Sequence, residues 1–197
     1  MLNDLLKEYH LILASGSPRR HEFFKMLGLN FEIRLKPVEE IYPNELTKSE
    51  ITDYLAQLKA QSLRNDLKPK DILVTSDTIV WHNNKAIGKP KNEQDAFNMI
   101  MGLSNDTHLV ISSVTFTTIQ QQITINTTTK VTFTALTEEE VWYYVNTFKP
   151  LDKAGAYGIQ EWIGAVAISK VEGSYNNVVG LPTHLLYKTL KRIVDGK

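Results

Sequence analysis

Apolar positions recur along this chain with two periods, and the places where one gives way to the other divide it into short strands and amphipathic helices. Leu11 to Ala14 is an apolar run closed by Ser15-Gly16-Ser17-Pro18, after which Phe23, Phe24 and Leu27 recur at helical spacing and Gly28 ends the helix. Phe31 to Leu35 alternates as a strand. From Ser49, the positions of Ile51, Tyr54, Leu55 and Leu58 predict an amphipathic helix, with Glu50 in its first turn and Lys59 and Arg64 towards its end, where the helix dipole favours them. Ile72 to Thr75 is a second compact apolar strand that ends in Ser76-Asp77-Thr78. Ile79-Val80-Trp81 continues extended to an Asn83-Asn84 turn, which marks a hairpin.

Asn92 to Met101 reads as a helix ended by Gly102. Thr107 to Ile119 and Ile123 to Phe133, rich in β-branched residues, predict a long antiparallel pair around Gln120 to Gln122, whose segment from Thr115 to Thr134 supplies either an exposed sheet edge or one guarded by Lys130. Thr137 with Glu140 is a capping-box start for a helix carrying Val141, Tyr144 and Val145. Val166 to Val171 reads as a strand, and Leu181 to Ile193 as the last helix, with Pro182 where proline is tolerated. The expected class is α/β with a mixed sheet and two lobes, and no linker divides residues 1–197, which read as a single domain.

Composition narrows the partners. The 197 residues carry 22 Lys and Arg against 22 Asp and Glu, and a net charge of zero argues against a protein held on nucleic acid or anionic lipid by its overall field. At 42% hydrophobic and 9% aromatic the chain can bury a proper core, and without cysteine it has no disulfide framework, zinc knuckle or thiolate nucleophile. The first nine residues interleave Asp4, Lys7 and Glu8 with leucines, so they read as neither signal peptide nor anchor. No run of about eighteen uncharged apolar residues follows, and the expectation is a soluble, cytoplasmic protein with no membrane partner.

Ser15-Gly16-Ser17-Pro18-Arg19-Arg20 lies at a strand end and opens a helix, with Ser17 as N-cap and Pro18 as first helical residue. Helix N-terminal N–H groups and two fork-shaped guanidinium groups suit a phosphate, and the same residues suit an ordinary capped helix with solvated arginines. Asp77 follows an apolar strand, where α/β folds place their ligand crevices; its carboxylate suits Mg²⁺ or proton abstraction from water, and equally an Asx-type turn. Lys89 in Gly88-Lys89-Pro90, Lys59 on its helix and the Glu39-Glu40 pair are each ambiguous alone. Together, a helix N-terminus with two arginines, two lysines and separated carboxylates form the kit for Mg²⁺-assisted attack on a phosphoanhydride. The 5 histidines show no metal-ligand spacing, and neither a G-x-S-x-G elbow nor a G-x-x-x-x-G-K-[ST] loop occurs. Trp81, Trp142 and Trp162 lie beside no basic cluster and read as packing residues rather than base-stacking platforms.

Five blocks, Ser15 to Arg20, Ser76 to Val80, Gly88 to Pro90, Leu151 to Gln160 and Gly173 to Pro182, together resemble the Maf family of nucleoside triphosphate pyrophosphatases, from Leu11 to about Leu190. The resemblance implies an elongated, twisted mixed sheet flanked by helices, two lobes with a central cleft, a fold related to inosine triphosphate pyrophosphatase, and often a homodimer. It implies hydrolysis of a nucleoside triphosphate to monophosphate and pyrophosphate with a divalent cation, Mg²⁺ or Mn²⁺. By position, Asp77 matches the family's catalytic acid and Glu40 the second carboxylate near the metal. Ser15, Arg19, Arg20, Lys59 and Lys89 match the phosphate-binding set, and Thr78 and Gln160 lie near the base. Arg19 after Pro18, Thr78 after Asp77, and Gln160 are as in the branch that acts on dTTP and UTP; the 7-methylguanosine triphosphate branch carries Tyr and Gln at the first two positions. Ser76 departs from the Ala common in the pyrimidine branch. The resemblance also carries two other readings, a nucleotide-sensing regulator of cell division or septum formation and a house-cleaning enzyme for modified pyrimidine nucleotides.

Overall fold

The computed structural model describes residues 2–195; residue 1 and residues 196–197 of the expected domain lie outside the described residues. Helix α1 (Leu2–Leu5) leads through a 3-10 turn (Leu6–Glu8) into strand β1 (His10–Leu13) and helix α2 (Pro18–Met26). Strand β2 (Glu32–Ile33) and helix α3 (Ser49–Gln61) precede β3 (Asp71–His82), which turns back into β4 (Lys85–Ile87). Helix α4 (Glu93–Leu103), strands β5 (Thr107–Thr117) and β6 (Gln122–Phe133), and helices α5 (Glu138–Phe148) and α6 (Trp162–Ala167) follow. Strand β7 (Ile168–Glu172) and helices α7 (Tyr175–Val179) and α8 (Thr183–Asp195) complete the order. The strands form one seven-stranded sheet in the order β2-β1-β3-β5-β6-β7, with β4 on β3. β1 runs parallel to β2 and β3, whereas β4 and β7 are antiparallel to β3 and β6, so the sheet is mixed, as expected. The chain divides into two compact units, the first built from residues up to 77, 112–127 and those from 180, the second from 78–111 and 128–179.

In the first unit β1 and the start of β3 are apolar on both faces, because parallel strands are covered on both sides. Ile12 and Leu13 pair with Leu73 and Val74, and all four are fully buried. Each such side chain contributes about 1.5–3 kcal/mol on leaving water. Helix α3 approaches β3 through Ala56 and Ala60, both fully buried, which lets Thr75 Oγ1 donate to the Ala56 carbonyl at 2.7 Å. Its next face meets the hydroxyl-rich strands: Thr52 Oγ1 lies 2.6 Å from Ser113 Oγ, which in turn donates to Asp53 at 2.6 Å.

The second unit packs α4 against α5 around Ala96, Ile100, Leu103, Val141, Tyr144 and Val145. The expected capping box is present, with Thr137 accepting from the Glu140 N–H and Glu140 accepting from the Thr137 N–H. Trp142 stacks on Phe97 at 4.5 Å, and Trp162 meets Tyr143 edge-on at 5.0 Å, so both serve packing, as expected. The Gly173-to-Pro182 block contributes a hub: the fully buried Asn177 donates to Thr129 Oγ1 at 2.9 Å and to the Val110 carbonyl at 3.0 Å.

Several boundaries differ from expectation. Asp77 is not beyond a strand end but inside β3, which runs unbroken to His82 with β5 as its second neighbour and β4 paired from Val80. Only Glu32 and Ile33 of the segment Phe31 to Leu35 pair with β1. Helix α4 runs past Gly102 to Leu103, since burial of Ile100 and Leu103 outweighs the roughly 1 kcal/mol cost of a helical glycine. Val166 and Ala167 belong to α6, and β7 begins only at Ile168. Leu181 and Pro182 precede α8, with the Pro182 carbonyl accepting from Leu185 and Leu186. Part of the expected sheet edge is covered, because Lys130 to Phe133 pair with β7.

Candidate active site

β1 pairs with β3 only as far as Val74, and β4 joins β3 only from Val80, so Thr75 to Ile79 run past the carboxyl end of β1. The chain leaving β1 turns there through Ser15 to Ser17 and opens α2, with Pro18 as first residue and no side-chain cap on Ser17. The Ser15 hydroxyl instead folds over the turn, accepting from the Ser17 N–H at 3.2 Å and from Arg20 Nη1 at 3.4 Å. Arg20 also donates through Nη1 to the Ser76 carbonyl at 2.8 Å and through Nε to the Gly180 carbonyl at 2.9 Å. Its guanidinium thus joins the turn, the middle of β3 and the entry to α8. Burial lowers the Arg20 pKa and the Arg19 charge adds to that, while Asp77, then Glu40, oppose it. Arg19 itself is half-buried.

Thr75 and Asp77 alternate onto the same face of β3, so the bond from Thr75 to Ala56 also presents Asp77 to α3. Lys59 lies three residues beyond Ala56, on the packed face of that helix, and its Nζ donates to Asp77 Oδ1 at 2.6 Å. The same ammonium sits 3.1 Å from Glu40 Oε1. This decides between the two adjacent acids: it is Glu40, not Glu39, that shares a cation with Asp77. Asp77 is only 6% exposed, whereas the Glu40 side chain is half exposed. Ser15, Arg20, Glu40, Lys59 and Asp77 are therefore brought together in the first unit.

Thr78, Lys89 and Gln160 belong to the second unit. Thr78 is half-buried in β3, and Lys89 and Gln160 are exposed. The loop carrying Gln160 is tied to the one carrying Lys89, since the Gly155 N–H donates to the Gly88 carbonyl at 3.0 Å. Gly155 has φ of +68° and packs so tightly that a Cβ there would lie 2.7 Å from Val80 Cγ2.

Residues 10–193 match the family model described as Maf-like protein. The chain belongs to the Maf family. A relative from Flavobacterium johnsoniae, named dTTP/UTP pyrophosphatase, is 60% identical over 194 residues, covering 98% of this chain and 100% of its own. Proteins of the same name from Christiangramia forsetii and Phocaeicola vulgatus are 54% and 47% identical, covering 100% and 95% of this chain and 100% and 98% of theirs. Among solved structures, the Ham1 protein of Staphylococcus aureus superposes with a TM-score of 0.53 at 15% identity, over 92% of this chain and 98% of that one, which shows a shared fold.

Three residues of the second unit that sequence reasoning passed over surround the Gln160 loop. Glu161 binds Lys153 through one carboxylate oxygen and Tyr144 through the other. Lys153 lies within the Leu151-to-Gln160 block and Glu161 directly follows it, but Tyr144 is on α5, and no spacing pointed to it. Among the described residues no group of three or more His, Cys, Asp or Glu side chains gathers to hold a metal. No helix among them is long and apolar enough to cross a membrane.

Proposed function

We propose that this Maf protein hydrolyses dTTP and UTP to the monophosphate and pyrophosphate, by attack of water on the α-phosphorus. The observation that carries the reading is the buried Asp77 carboxylate, held through Oδ1 by Lys59 together with Glu40. Asp77 Oδ2 accepts no hydrogen bond among the described residues, so it is available to take the proton of the attacking water. The bond from the α-phosphorus to the bridging oxygen breaks, and pyrophosphate leaves with its charge balanced by Arg19, Arg20, Lys59 and Lys89. Ser15 and the start of α2 hold a phosphate oxygen, and Arg20 fixes the turn that presents them. Thr78 and Gln160 meet the base; the Gln160 amide makes no hydrogen bond among the described residues and offers the paired donor and acceptor that a pyrimidine edge needs.

A divalent cation fits the donor set. Two carboxylate oxygens already converge on one cationic group, Lys59 Nζ, and Mg²⁺ takes one or two carboxylates with its other positions filled by substrate phosphate and water. Asp77 and Glu40 would hold Mg²⁺ or Mn²⁺, which when bound neutralises phosphate charge. Names given to relatives 40–60% identical over nearly the whole chain support turnover, and the regulator of cell division is not favoured. Residues 1–197 act as one functional domain in the cytoplasm, as a homodimer, on nucleotide rather than nucleic acid or membrane.

Pyrophosphate release over a panel of nucleoside triphosphates, including methylated pyrimidines and 7-methylguanosine triphosphate, tests the reading. Turnover of dTTP and UTP is expected to exceed that of purine triphosphates, and faster turnover of methylated pyrimidines would make the enzyme a pool cleaner. In Asp77→Asn, kcat is expected to fall at least about 100-fold, the contribution of a positioned base, with the fold unchanged. Turnover at the parent rate would remove Asp77 from the chemistry.

A further inference from the structure

The Gln160 loop is held by side chains that the reaction itself does not use. Tyr144 is fully buried, fixed on α5 between Val141 and Val145 and stacked on Phe148 at 5.1 Å. Burial first, then its bond to Glu161, raises the Tyr144 hydroxyl, which stays protonated and donates to Glu161 Oε2. The Tyr144 hydroxyl oxygen in turn accepts the Gly158 N–H at 3.0 Å. The other carboxylate oxygen, Glu161 Oε1, lies 3.1 Å from Lys153 Nζ, and that buried ammonium is also 2.8 Å from Asp152 Oδ1. Residues 152 to 161 are thus closed by a chain of charge-assisted contacts from Asp152 through Lys153, Glu161 and Tyr144 back to the Gly158 backbone.

Gln160 lies inside that closure. A Cβ on Gly158 would fall 2.9 Å from Glu161 Cδ and 3.1 Å from Gln160 Nε2, so both side chains fold back over the bare Cα of Gly158. On the far side, Gly164 brings α6 so close to the loop that a Cβ would lie 1.8 Å from the Ile159 carbonyl oxygen. An exposed glutamine amide that makes no hydrogen bond to its surroundings is aimed only by the backbone beneath it, and here that backbone is pinned at Gly158 and Ile159. Freeing its torsions before binding would add an ordering cost to each binding event.

We infer that Tyr144 and Glu161 are positioning residues for base recognition, fixing the Gly158-Ile159-Gln160 backbone so that the Gln160 amide meets the pyrimidine edge already oriented. This rests on Gln160 as the base-reading group. The pair acts through Gln160, and so on substrate choice and KM rather than on the chemical step.

The test compares Tyr144→Phe, Glu161→Gln, Glu161→Ala and Gln160→Ala with the parent enzyme. KM and kcat are measured for UTP, dTTP and CTP, alongside competitive inhibition by inorganic tripolyphosphate, which has no base. Loss of one buried hydrogen bond is expected to raise KM for UTP about tenfold in Tyr144→Phe. The UTP-over-CTP preference should narrow, with kcat within about twofold of the parent by the logic of purely positional loss. Tripolyphosphate should inhibit every variant as it does the parent. Glu161→Gln keeps an acceptor for the Tyr144 hydroxyl and should lie closer to the parent than Glu161→Ala. Unchanged KM and preference in both Tyr144→Phe and Glu161→Ala would overturn the inference. So would a weakening of tripolyphosphate inhibition in step with KM, which marks general loosening. If Gln160→Ala leaves the preference untouched, both this inference and the role of Gln160 fail. If Gln160→Ala abolishes it while Tyr144→Phe and Glu161→Ala are both silent, only the positioning role fails.

Discussion

Acid should destabilise the second unit through one histidine. His108 is 1% exposed, its Nε2 lies 2.7 Å from the Tyr157 hydroxyl, and its ring meets Phe133 and Tyr157 edge-on at 5.1 and 5.4 Å. Its Nδ1 is buried with no hydrogen-bond partner among the described residues, so a proton added to the ring brings a second N–H where no acceptor lies. Burial pushes His108 from 6.5 down to about 4; the charge of His82 adds to this and Asp106 opposes it. Because the native pKa lies below the unfolded one, the unfolded chain binds the proton first. Stability is therefore whole above pH 6.5, falls as pH drops towards 4, and levels off below that. The gap corresponds to about 3 kcal/mol, a large share of the stability of an ordinary domain. Urea unfolding of the parent and His108→Gln at pH 7, 6, 5 and 4.5 reads it directly, with the His82–Asp106 pair present in both proteins so that it cancels. With a slope near ~2 kcal/mol per molar urea, most of a ~1.5 M relative fall in the parent midpoint should appear across that range. Parallel midpoint curves for the two proteins would refute the assignment.

Lys59→Met should leave Asp77 buried without its ammonium, at a cost towards the low end of the ~3–5 kcal/mol for breaking a buried pair, since Lys59 is itself partly exposed. A chemical-denaturation midpoint equal to the parent's would show that the pair contributes nothing to folding. Gly155→Ala forces a Cβ to 2.7 Å from Val80 Cγ2 at a φ of +68° and is expected to lower stability by about 2–3 kcal/mol, read as a drop in thermal midpoint. A Gly155→Ala protein as stable as the parent would mean that the loop relaxes freely.

The sequence made visible what local chemistry decides. The Thr137 capping box, the Asn83-Asn84 turn with φ of 48° and 58°, and the positive φ of Gly28 follow from residues a few positions apart. What stayed hidden depended on partners far along the chain. Asp77 looked terminal because the apolar run stops at Val74, yet β3 continues to His82 beside β5, a strand some thirty residues further on. Val166 is β-branched and reads as strand, but the close seating of Gly164 on Ile159 holds it in α6. Residue chemistry left Glu39 and Glu40 equivalent and only the family resemblance picked Glu40; the contact that sets it apart comes from Lys59, some twenty residues on. Tyr144 carried an ordinary core signal, and its hydroxyl gained a use only from Glu161, 17 residues away.

The arginine doublet shows how two like neighbours divide their labour. Three acceptors in different directions, the hydroxyl of Ser15 and the carbonyls of Ser76 and Gly180, are served by the one planar fork of Arg20. A lysine at position 20 has a single compact head and cannot span all three, whereas a lysine at position 19 would still bring a positive charge to an anion. The second arginine of the pair is therefore expected to be the less replaceable, because it fastens the turn as well as bringing charge to it.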